Sequence, residues 1–188
     1  QFFGFDVVAS IVIISVITAV YTVLGGLKAV VVTGQGRAFS SGADLKESKT
    51  RSAEDYRSYL ESLQEVSRSI IRFPKPTIAA INGFALGSGY ELALACDFRL
   101  ATENPRTKIG LPEVSLGVMP GFGGTVRLRN LVGLQKALEL ILGSKQLNKK
   151  KAAYLGLVDS CVPSGYLGFK EAQMTADILN VKKRANIV

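Results

Sequence analysis

Two glutamates stand in apolar surroundings, and such carboxyl groups can carry proton-transfer chemistry. Glu91 begins the apolar run ELALAC, and Glu113 follows a proline in the segment IGLPEVSLG. Burial among apolar groups disfavours the ionised carboxylate and raises its pKa unless a partner compensates. Taken singly, each glutamate is explained by a helix cap or a buried ion pair. Two of them, each beside a glycine-containing loop, indicate general acid–base catalysis.

The absence of histidine narrows the chemistry further. It excludes serine–histidine and cysteine–histidine nucleophilic sites and removes the commonest zinc ligand. The two cysteines, Cys96 and Cys161, have no metal-like spacing, and their apolar contexts predict buried free thiols in a reducing compartment. We therefore predict no metal site and assign any acid–base chemistry to glutamate, aspartate, lysine or tyrosine.

Three glycine-containing loops could bring backbone N–H groups close to a ligand. They are SSGAD at 40–44, ALGSGYE at 85–91 and PGFGG at 120–124. None matches the dinucleotide-binding or phosphate-binding glycine patterns. Converging N–H groups would instead suit a developing oxyanion, because glycine permits a close approach of the backbone. On spacing alone, ordinary turns explain these loops better than an oxyanion site does.

Alternating strands and helices must position these loops. Apolar residues at 56, 60, 63, 66 and 70 have helical spacing, which predicts a helix over 53–71 with Ser52 as its N-cap. Strands are predicted over 28–33, 77–82 and 97–101. Further helices are predicted from about 90 and over 124–132, 134–143, 148–156 and 168–181. This alternation predicts an α/β domain.

Residues 7–24 form an uncharged run rich in valine and isoleucine. A run of eighteen such residues reaches the lower limit for a membrane-spanning helix, and the same composition suits a pair of buried strands. A secretory signal peptide fits poorly, since no basic residue precedes the run. The membrane-spanning helix and the pair of buried strands both stay open, and the first would bring residues 7–27 into contact with a membrane.

The formal net charge of +8 arises downstream of residue 27, because Asp6 is the only charged residue before Lys28. Such an excess indicates a solvated basic surface, or a site for an anionic ligand such as a phosphorylated cofactor. Nucleic acid is a poor candidate partner, because no aromatic–basic interleaving or known binding motif accompanies the lysine clusters.

Four segments in chain order carry a family resemblance: KAVVVTGQGRAFSSGADLKE, KPTIAAINGFALGSGYELALACDFRLAT, IGLPEVSLGVMPGFGGTVRL and AAYLGLVD. From Lys28 to about Pro163 the chain resembles the crotonase superfamily, which comprises enoyl-CoA hydratases and isomerases. In particular it resembles the hydratase region of the multifunctional fatty-acid oxidation α-subunit. The resemblance implies an α/β crotonase-like fold, the ClpP/crotonase spiral of β-β-α units.

The resemblance also implies roles for individual residues. The backbone N–H groups of Ala43 and Ser88 would form an oxyanion hole for a thioester carbonyl. Glu91 would activate water, and Glu113 would exchange a proton at the α-carbon. Isomerases of this superfamily often keep only one of these acids, so the pair favours hydration of a 2,3 double bond, as in fatty-acid β-oxidation. The further residues implied in substrate binding are Gly42, Asp44, Leu45, Gly87, Gly89, Pro112, Gly121 and Gly123.

The resemblance implies no permanently bound cofactor, since coenzyme A arrives as part of the substrate. The implied partners are an acyl-CoA thioester and either further copies of the chain or a multifunctional β-oxidation complex. The implied compartment is the cytoplasm or the mitochondrial matrix.

Three features depart from the family pattern. Ser88 stands where glycine is usual, and its Cβ would crowd a carbonyl in the oxyanion hole. Residues 1–27 lack the usual strand hairpin and amphipathic helix. Residues 7–33 instead resemble a transmembrane segment of the sodium:solute symporters, through the motif YTVLGGLKAV. The segment after Val162 is shorter than in the family.

We therefore expect an atypical hydrophobic segment over 1–27 and a crotonase-like acyl-CoA domain over 28–188, with truncated C-terminal helices. Two alternatives to a working hydratase remain. One is a catalytically silent acyl-CoA-binding or scaffold module, and the other is a membrane-attached chimeric fragment.

Overall fold

The computed structural model describes residues 29–44, 50–168 and 177. Within these ranges strands and helices alternate, as the sequence predicts. The hydrophobic segment 1–27, Leu45 and nearly all of the helix expected over 168–181 lie outside the described residues. None of the helices in the described ranges is long and apolar enough to cross a membrane.

The elements have the following bounds in chain order. The strands are β1 (Val30–Thr33), β2 (Ala38–Ser40), β3 (Thr77–Ile81), β4 (Phe84–Leu86), β5 (Phe98–Thr102), β6 (Lys108–Gly110), β7 (Leu147–Asn148) and β8 (Ser160–Val162). The helices are α1 (Ala53–Ile71), α2 (Ser88–Ala95), α3 (Gly124–Val132), α4 (Leu134–Leu142) and α5 (Lys149–Tyr154). Short 3-10 turns cover Glu113–Leu116 and Ser164–Tyr166.

Two sheets form the framework of the fold. One has the order β1-β3-β5-β8 and is parallel throughout. The other has the order β2-β4-β6-β7, in which β7 runs antiparallel to β6 and the remaining pairs are parallel. Each successive pair of strands, from β1 and β2 to β7 and β8, thus contributes one strand to each sheet. Because α1 follows β2 and α2 follows β4, the chain repeats a β-β-α unit, which confirms the predicted α/β architecture.

Burial accounts for the apolar strand sequences. The central strand β3, TIAAI, is buried at every position, as expected for a parallel strand that is covered on both faces. Tyr90 of α2 is buried in the same core and donates its hydroxyl proton to the carbonyl of Leu157 at 2.9 Å. A buried hydroxyl group is therefore satisfied without water.

The predicted bounds of α1 and α3 are confirmed, and α4 ends one residue earlier than predicted. Ser52 caps α1 as expected, because its Oγ accepts a hydrogen bond from the N–H of Asp55 at 3.1 Å. The two cysteines are free thiols, but only Cys96 is buried, whereas Cys161 is half-buried.

Other predicted bounds differ from the structure for local reasons. Helix α2 begins at Ser88 rather than near residue 90, since Gly87, with a φ of 55°, already turns the chain into the helix. Helix α5 begins after Asn148, whose side chain accepts from the N–H of Lys151 at 3.0 Å, and it ends two residues before Gly156. Glu113 begins a 3-10 turn and does not continue an apolar strand.

Asn82 holds the loop between β1 and β2. Its side-chain amide accepts from the N–H of Gly34 at 3.3 Å and donates to the carbonyls of Gly34 and Gly36 at 2.8 and 3.2 Å. Position 34 requires glycine, because a Cβ there would lie 2.0 Å from the carbonyl oxygen of Ala38. The hydrogen bonds of Asn82 fix the course of β2, and the end of β2 leads to Ala43.

Candidate active site

A cleft of about 180 Å³ lies where the segments that follow β2, β4 and β6 meet one face of α1. Its wall brings together most of the residues that the sequence singled out. These are Gly42, Ala43, Gly87, Ser88, Glu91, Pro112, Glu113 and Gly121. They come from three distant parts of the chain, so the fold assembles the site.

Glu91 lies in the first turn of α2 and is 2% exposed. Its Oε1 accepts hydrogen bonds from the N–H groups of Phe122 and Gly124 at 2.9 and 2.7 Å. Burial raises the pKa of Glu91 to about 7, although these two N–H groups oppose the rise. A carboxyl group with this pKa can accept or release a proton near neutral pH.

The glycines of the PGFGG loop make the contacts of Glu91 possible. A Cβ at Gly124 would lie 2.7 Å from the Cγ of Glu91 and 2.8 Å from its Oε1. Gly123 has a φ of 95°, a left-handed conformation that favours glycine. The loop therefore approaches the carboxylate with bare backbone.

Glu113 begins the 3-10 turn that follows Pro112. Both of its carboxylate oxygens are shielded from water, and neither has a hydrogen-bond partner among the described residues. Burial raises the pKa of Glu113. Gly87 lies against this side chain, since a Cβ there would be 3.3 Å from Oε1 of Glu113. An unpartnered carboxyl group in a cleft is available to a ligand.

The charge of Glu113 acts on Glu91. The negative charge of Glu113 raises the pKa of Glu91 further, beyond the effect of burial. A carboxyl group near a second carboxylate is harder to ionise, because like charges repel. An ionised Glu113 therefore favours the protonated form of Glu91.

Ala43 and Ser88, the two residues expected to form an oxyanion hole, both line the cleft. Neither N–H donates a hydrogen bond to another residue of the described ranges. The two segments are adjacent, since a Cβ at Gly42 would lie 3.6 Å from the nitrogen of Ser88 and 2.9 Å from the carbonyl oxygen of Leu86. Ser88 also begins α2, so its N–H lies at the positive end of a helix. Both features favour an anionic oxygen at this place.

Of the other predicted binding residues, the described ones, Gly89, Gly123 and Asp44, do not line the cleft. A Cβ at Gly89 would lie 2.4 Å from the carbonyl oxygen of Ser40, so this glycine packs α2 against β2. Gly123 lies against the guanidinium of Arg127. Asp44 is exposed, and Leu45 lies outside the described residues.

The sequence reasoning missed the contribution of α1 to the cleft. Tyr56, Tyr59, Leu60 and Leu63 line it, together with Leu116, Val118, Met119 and Phe122. The helical stripe at 56, 60 and 63 was the available signal, but such a stripe by itself indicates only a core-facing surface. These side chains make the wall of the cleft largely apolar.

Comparison with known proteins places this site in a family. The profile of the enoyl-CoA hydratase/isomerase family matches residues 22–187. The chain belongs to the enoyl-CoA hydratase/isomerase family. The fold is accordingly crotonase-like, as the sequence resemblance implies.

Several curated relatives of this family member are similar over the same region. It is 46% identical over 136 residues to the enoyl-CoA isomerase/hydratase fer4 of Mycosarcoma maydis, which covers 72% of this chain and 49% of the relative. It is 48% identical over 134 residues to a probable enoyl-CoA hydratase of Bacillus subtilis, covering 71% and 51%. It is 45% identical over 150 residues to the fatty acid oxidation complex subunit alpha of Vibrio cholerae, covering 79% and 21%. The matched region thus spans about half or less of the length of these relatives.

Solved structures of the family have the same fold. DspI of Pseudomonas aeruginosa matches with a TM-score of 0.83 and 33% identity, over 93% of this chain and 66% of that one. An enoyl-CoA hydratase of Bacillus anthracis matches with a TM-score of 0.76 and 36% identity, over 88% and 66%. The resemblance of residues 7–33 to a symporter segment finds no support, and the family profile already begins at residue 22.

Proposed function

We propose that this family member is an enoyl-CoA hydratase that adds water across the 2,3 double bond of an acyl-CoA thioester in fatty-acid β-oxidation. The observation that carries the proposal is the pairing of Glu91 and Glu113 in one cleft, whose wall also includes Ala43 and Ser88. Isomerisation moves a proton from one carbon of the substrate to another. Hydration instead requires that a proton be taken from water and that a proton be delivered to C2. Two acid–base groups suit the second task.

The proposed reaction starts with polarisation of the thioester carbonyl. Its oxygen accepts hydrogen bonds from the N–H groups of Ala43 and Ser88, which stabilise the enolate-like state. Glu91 takes a proton from water as the water oxygen forms a bond to C3. The electrons of the double bond move towards the carbonyl, and Glu113 then delivers a proton to C2. One water molecule is consumed, and the pair again holds one proton.

The apolar wall from α1 is the place for the acyl chain in this proposal. Tyr56, Leu60 and Leu63 present apolar surface opposite the glutamates. An acyl chain packed there would be removed from water, which is favourable. Coenzyme A takes part as a portion of the substrate, and the partners proposed are further copies of the chain or a β-oxidation complex. The relative from Vibrio cholerae carries the name of such a complex.

Hydration of crotonyl-CoA by the purified chain tests the proposal, with loss of the enoyl thioester absorbance as the readout. A 3-enoyl-CoA is assayed in parallel to detect isomerisation. We expect hydration by the native chain and its loss in Glu113→Gln. Isomerisation without hydration, or hydration that is unchanged in Glu113→Gln, would contradict the proposed reaction.

A second candidate is an acyl-CoA-binding module without turnover. The observation that favours it is Ser88, which lines the cleft at a position where the family resemblance implies glycine. Calorimetry with acetyl-CoA separates the two candidates. Binding of acetyl-CoA combined with no hydration of crotonyl-CoA would favour the silent module.

A further inference from the structure

The PGFGG loop is held by three polar side chains to which the proposed reaction assigns no role. The Nε2 of Gln64 donates to the carbonyl of Gly121 at 3.1 Å. The carbonyl of Phe122 accepts from Nη1 of Arg127 at 2.7 Å and from Oγ of Ser67 at 3.3 Å. Nη2 of Arg127 also donates to Oγ of Ser67, so the two side chains and the carbonyl of Phe122 form one cluster.

These contacts decide where the loop's N–H groups point. In a trans peptide the carbonyl and the N–H point in opposite directions. Gln64 holds the carbonyl of the peptide between Gly121 and Phe122, so the N–H of this peptide faces the other way. On that side it meets Oε1 of Glu91 at 2.9 Å.

The N–H of Gly124 is fixed in a different way. Arg127 and Ser67 hold the carbonyl of Phe122, and this sets the direction from which the chain enters Gly123. The carbonyl of Gly123 accepts from the backbone N–H of Arg127 at 3.1 Å in the first turn of α3, and the same peptide delivers the N–H of Gly124 to Oε1 of Glu91 at 2.7 Å. The N–H of Phe122 thus depends on side-chain anchors, and that of Gly124 depends also on the start of α3.

The loop has little stiffness of its own. Gly121, Gly123 and Gly124 lack the Cβ that restricts φ and ψ in other residues. Without external anchors the peptides could rotate and turn carbonyl oxygens towards Glu91, where they would repel a carboxylate. Side-chain anchoring of the carbonyls of Gly121 and Phe122, together with the backbone hydrogen bond to the carbonyl of Gly123, keeps two donors on the carboxylate.

We propose that Gln64, Ser67 and Arg127 are positioning residues, which orient the PGFGG loop and through it the carboxylate of Glu91. Their geometric role is independent of the reaction, whereas their effect on turnover rests on the proposed hydratase function.

Charge adds a second consequence for Arg127. Two charged groups face Glu91 from the elements packed against it: Glu113 from the 3-10 turn, which raises the pKa of Glu91, and Arg127 from α3, which lowers it. Arg127 itself is faced by Glu91 and by the buried thiol of Cys96. Removal of the guanidinium therefore removes the positive charge that opposes the repulsion from Glu113, so that only the two backbone N–H groups still lower the pKa of Glu91.

The test uses Gln64→Leu, Arg127→Gln and Arg127→Lys, with Arg129→Gln as the matched control on the exposed face of the same helix. Two readouts are followed: kcat and KM for crotonyl-CoA, and the titration of the Glu91 carboxyl carbon by carbon-13 NMR, assigned with Glu91→Gln. Thermal unfolding by circular dichroism verifies that each variant is folded.

We expect Gln64→Leu and Arg127→Gln to lower kcat about tenfold or more, with KM changed about twofold or less. The titration midpoint of Glu91 should rise in Arg127→Gln and return towards the native value in Arg127→Lys, because lysine restores the charge. Arg129→Gln should match the native chain in both readouts.

Native kcat and an unshifted Glu91 titration in folded Arg127→Gln would overturn the inference, as would equal changes in Arg129→Gln. If Arg127→Gln does not fold, Gln64→Leu and Arg127→Lys decide by the same criteria. If the native chain does not hydrate crotonyl-CoA, the proposed function fails. The NMR titration of the Arg127 and Arg129 variants then still tests the positioning role.

Discussion

At the scale of single residues, Glu91 and Glu113 share a cleft but have different surroundings. Glu91 accepts two backbone hydrogen bonds and is almost fully buried, whereas Glu113 has no hydrogen-bond partner among the described residues. The fixed carboxylate suits the orientation of a water molecule. The unpartnered one suits contact with the substrate itself. This difference gives each acid its own role in the proposed reaction.

The substitutions Glu91→Gln and Glu113→Gln should each lower kcat for crotonyl-CoA about a hundredfold or more, because general acid–base groups contribute factors of this size. KM should change little, since neither group is needed to bind the thioester. Steady-state kinetics measures both values. A variant with native kcat would remove that residue from the mechanism.

The pH dependence of kcat/KM should report the raised pKa of Glu91. Because Glu91 must be ionised to accept a proton from water, kcat/KM should fall as pH drops through about 7. An exposed glutamate would place the same fall near pH 4 to 5, at about its unperturbed pKa. Measurement of kcat/KM from about pH 4 to about pH 8 separates the two cases. A kcat/KM that is constant from about pH 5 to about pH 8 would contradict the assignment.

Ser88 offers a test of the oxyanion site at a single position. Ser88→Gly removes the Cβ beside the proposed carbonyl and keeps the backbone N–H, so kcat for crotonyl-CoA should rise. Acetyl-CoA binding by calorimetry should change less than kcat. A fall in kcat would show that the serine side chain does not crowd the site.

At the scale of elements, backbone contacts between α2 and the loop that leads into α3 build the site. Glu91 is presented by the first turn of α2, and the N–H groups that bind it come from the start of α3 and the residues before it. Such a junction requires bare backbone at the contact. Glycine at 124 satisfies this requirement, since any Cβ would overlap the side chain of Glu91.

Gly124→Ala should therefore impair the site through one added methyl group. The Cβ would lie 2.7 Å from Cγ of Glu91, so either the glutamate or the loop must move. We expect a loss of hydration of about tenfold or more together with lower stability, because overpacking typically costs about 1–3 kcal/mol. Gly165→Ala is the control, since a Cβ at position 165 meets nothing within 4 Å. Equal behaviour of the two variants would contradict this account.

At the scale of the whole molecule, the two sheets bring the loop ends of successive β-β-α units to one cleft. This arrangement buries Glu91 within the folded domain, and burial of an ionised carboxylate lowers the free energy of unfolding. The pKa of Glu91 is about 7 in the folded chain against an ordinary value of 4.5, so the folded state binds more protons between these two pH values. The free energy of unfolding should therefore fall as pH rises through this window.

Glu91→Gln should accordingly stabilise the chain at about pH 8 by roughly 1–3 kcal/mol, and by less at about pH 5, because glutamine carries no charge to bury. Urea unfolding at the two pH values measures the difference. The exposed Glu61→Gln serves as the control. A stabilisation by Glu91→Gln that does not depend on pH would contradict the linkage.

The sequence alone determined the local features of this protein. Hydrophobic spacing and capping placed α1 and α3 correctly, and ordered motifs indicated both the fold and the glutamate pair. These signals are local, because helix periodicity, caps and glycine loops act over a few residues.

Only the tertiary structure decided how the site is held. The donors to Glu91 lie 31 and 33 positions away, and the contacts of Gln64 and Ser67 that anchor the loop span 57 and 55 positions. No local pattern encodes such pairings, since they depend on which faces of α1, α2 and α3 meet. The apolar wall from α1 was missed for the same reason. A stripe at helical spacing indicates a packed face, but the fold decides whether this face meets the core or a ligand.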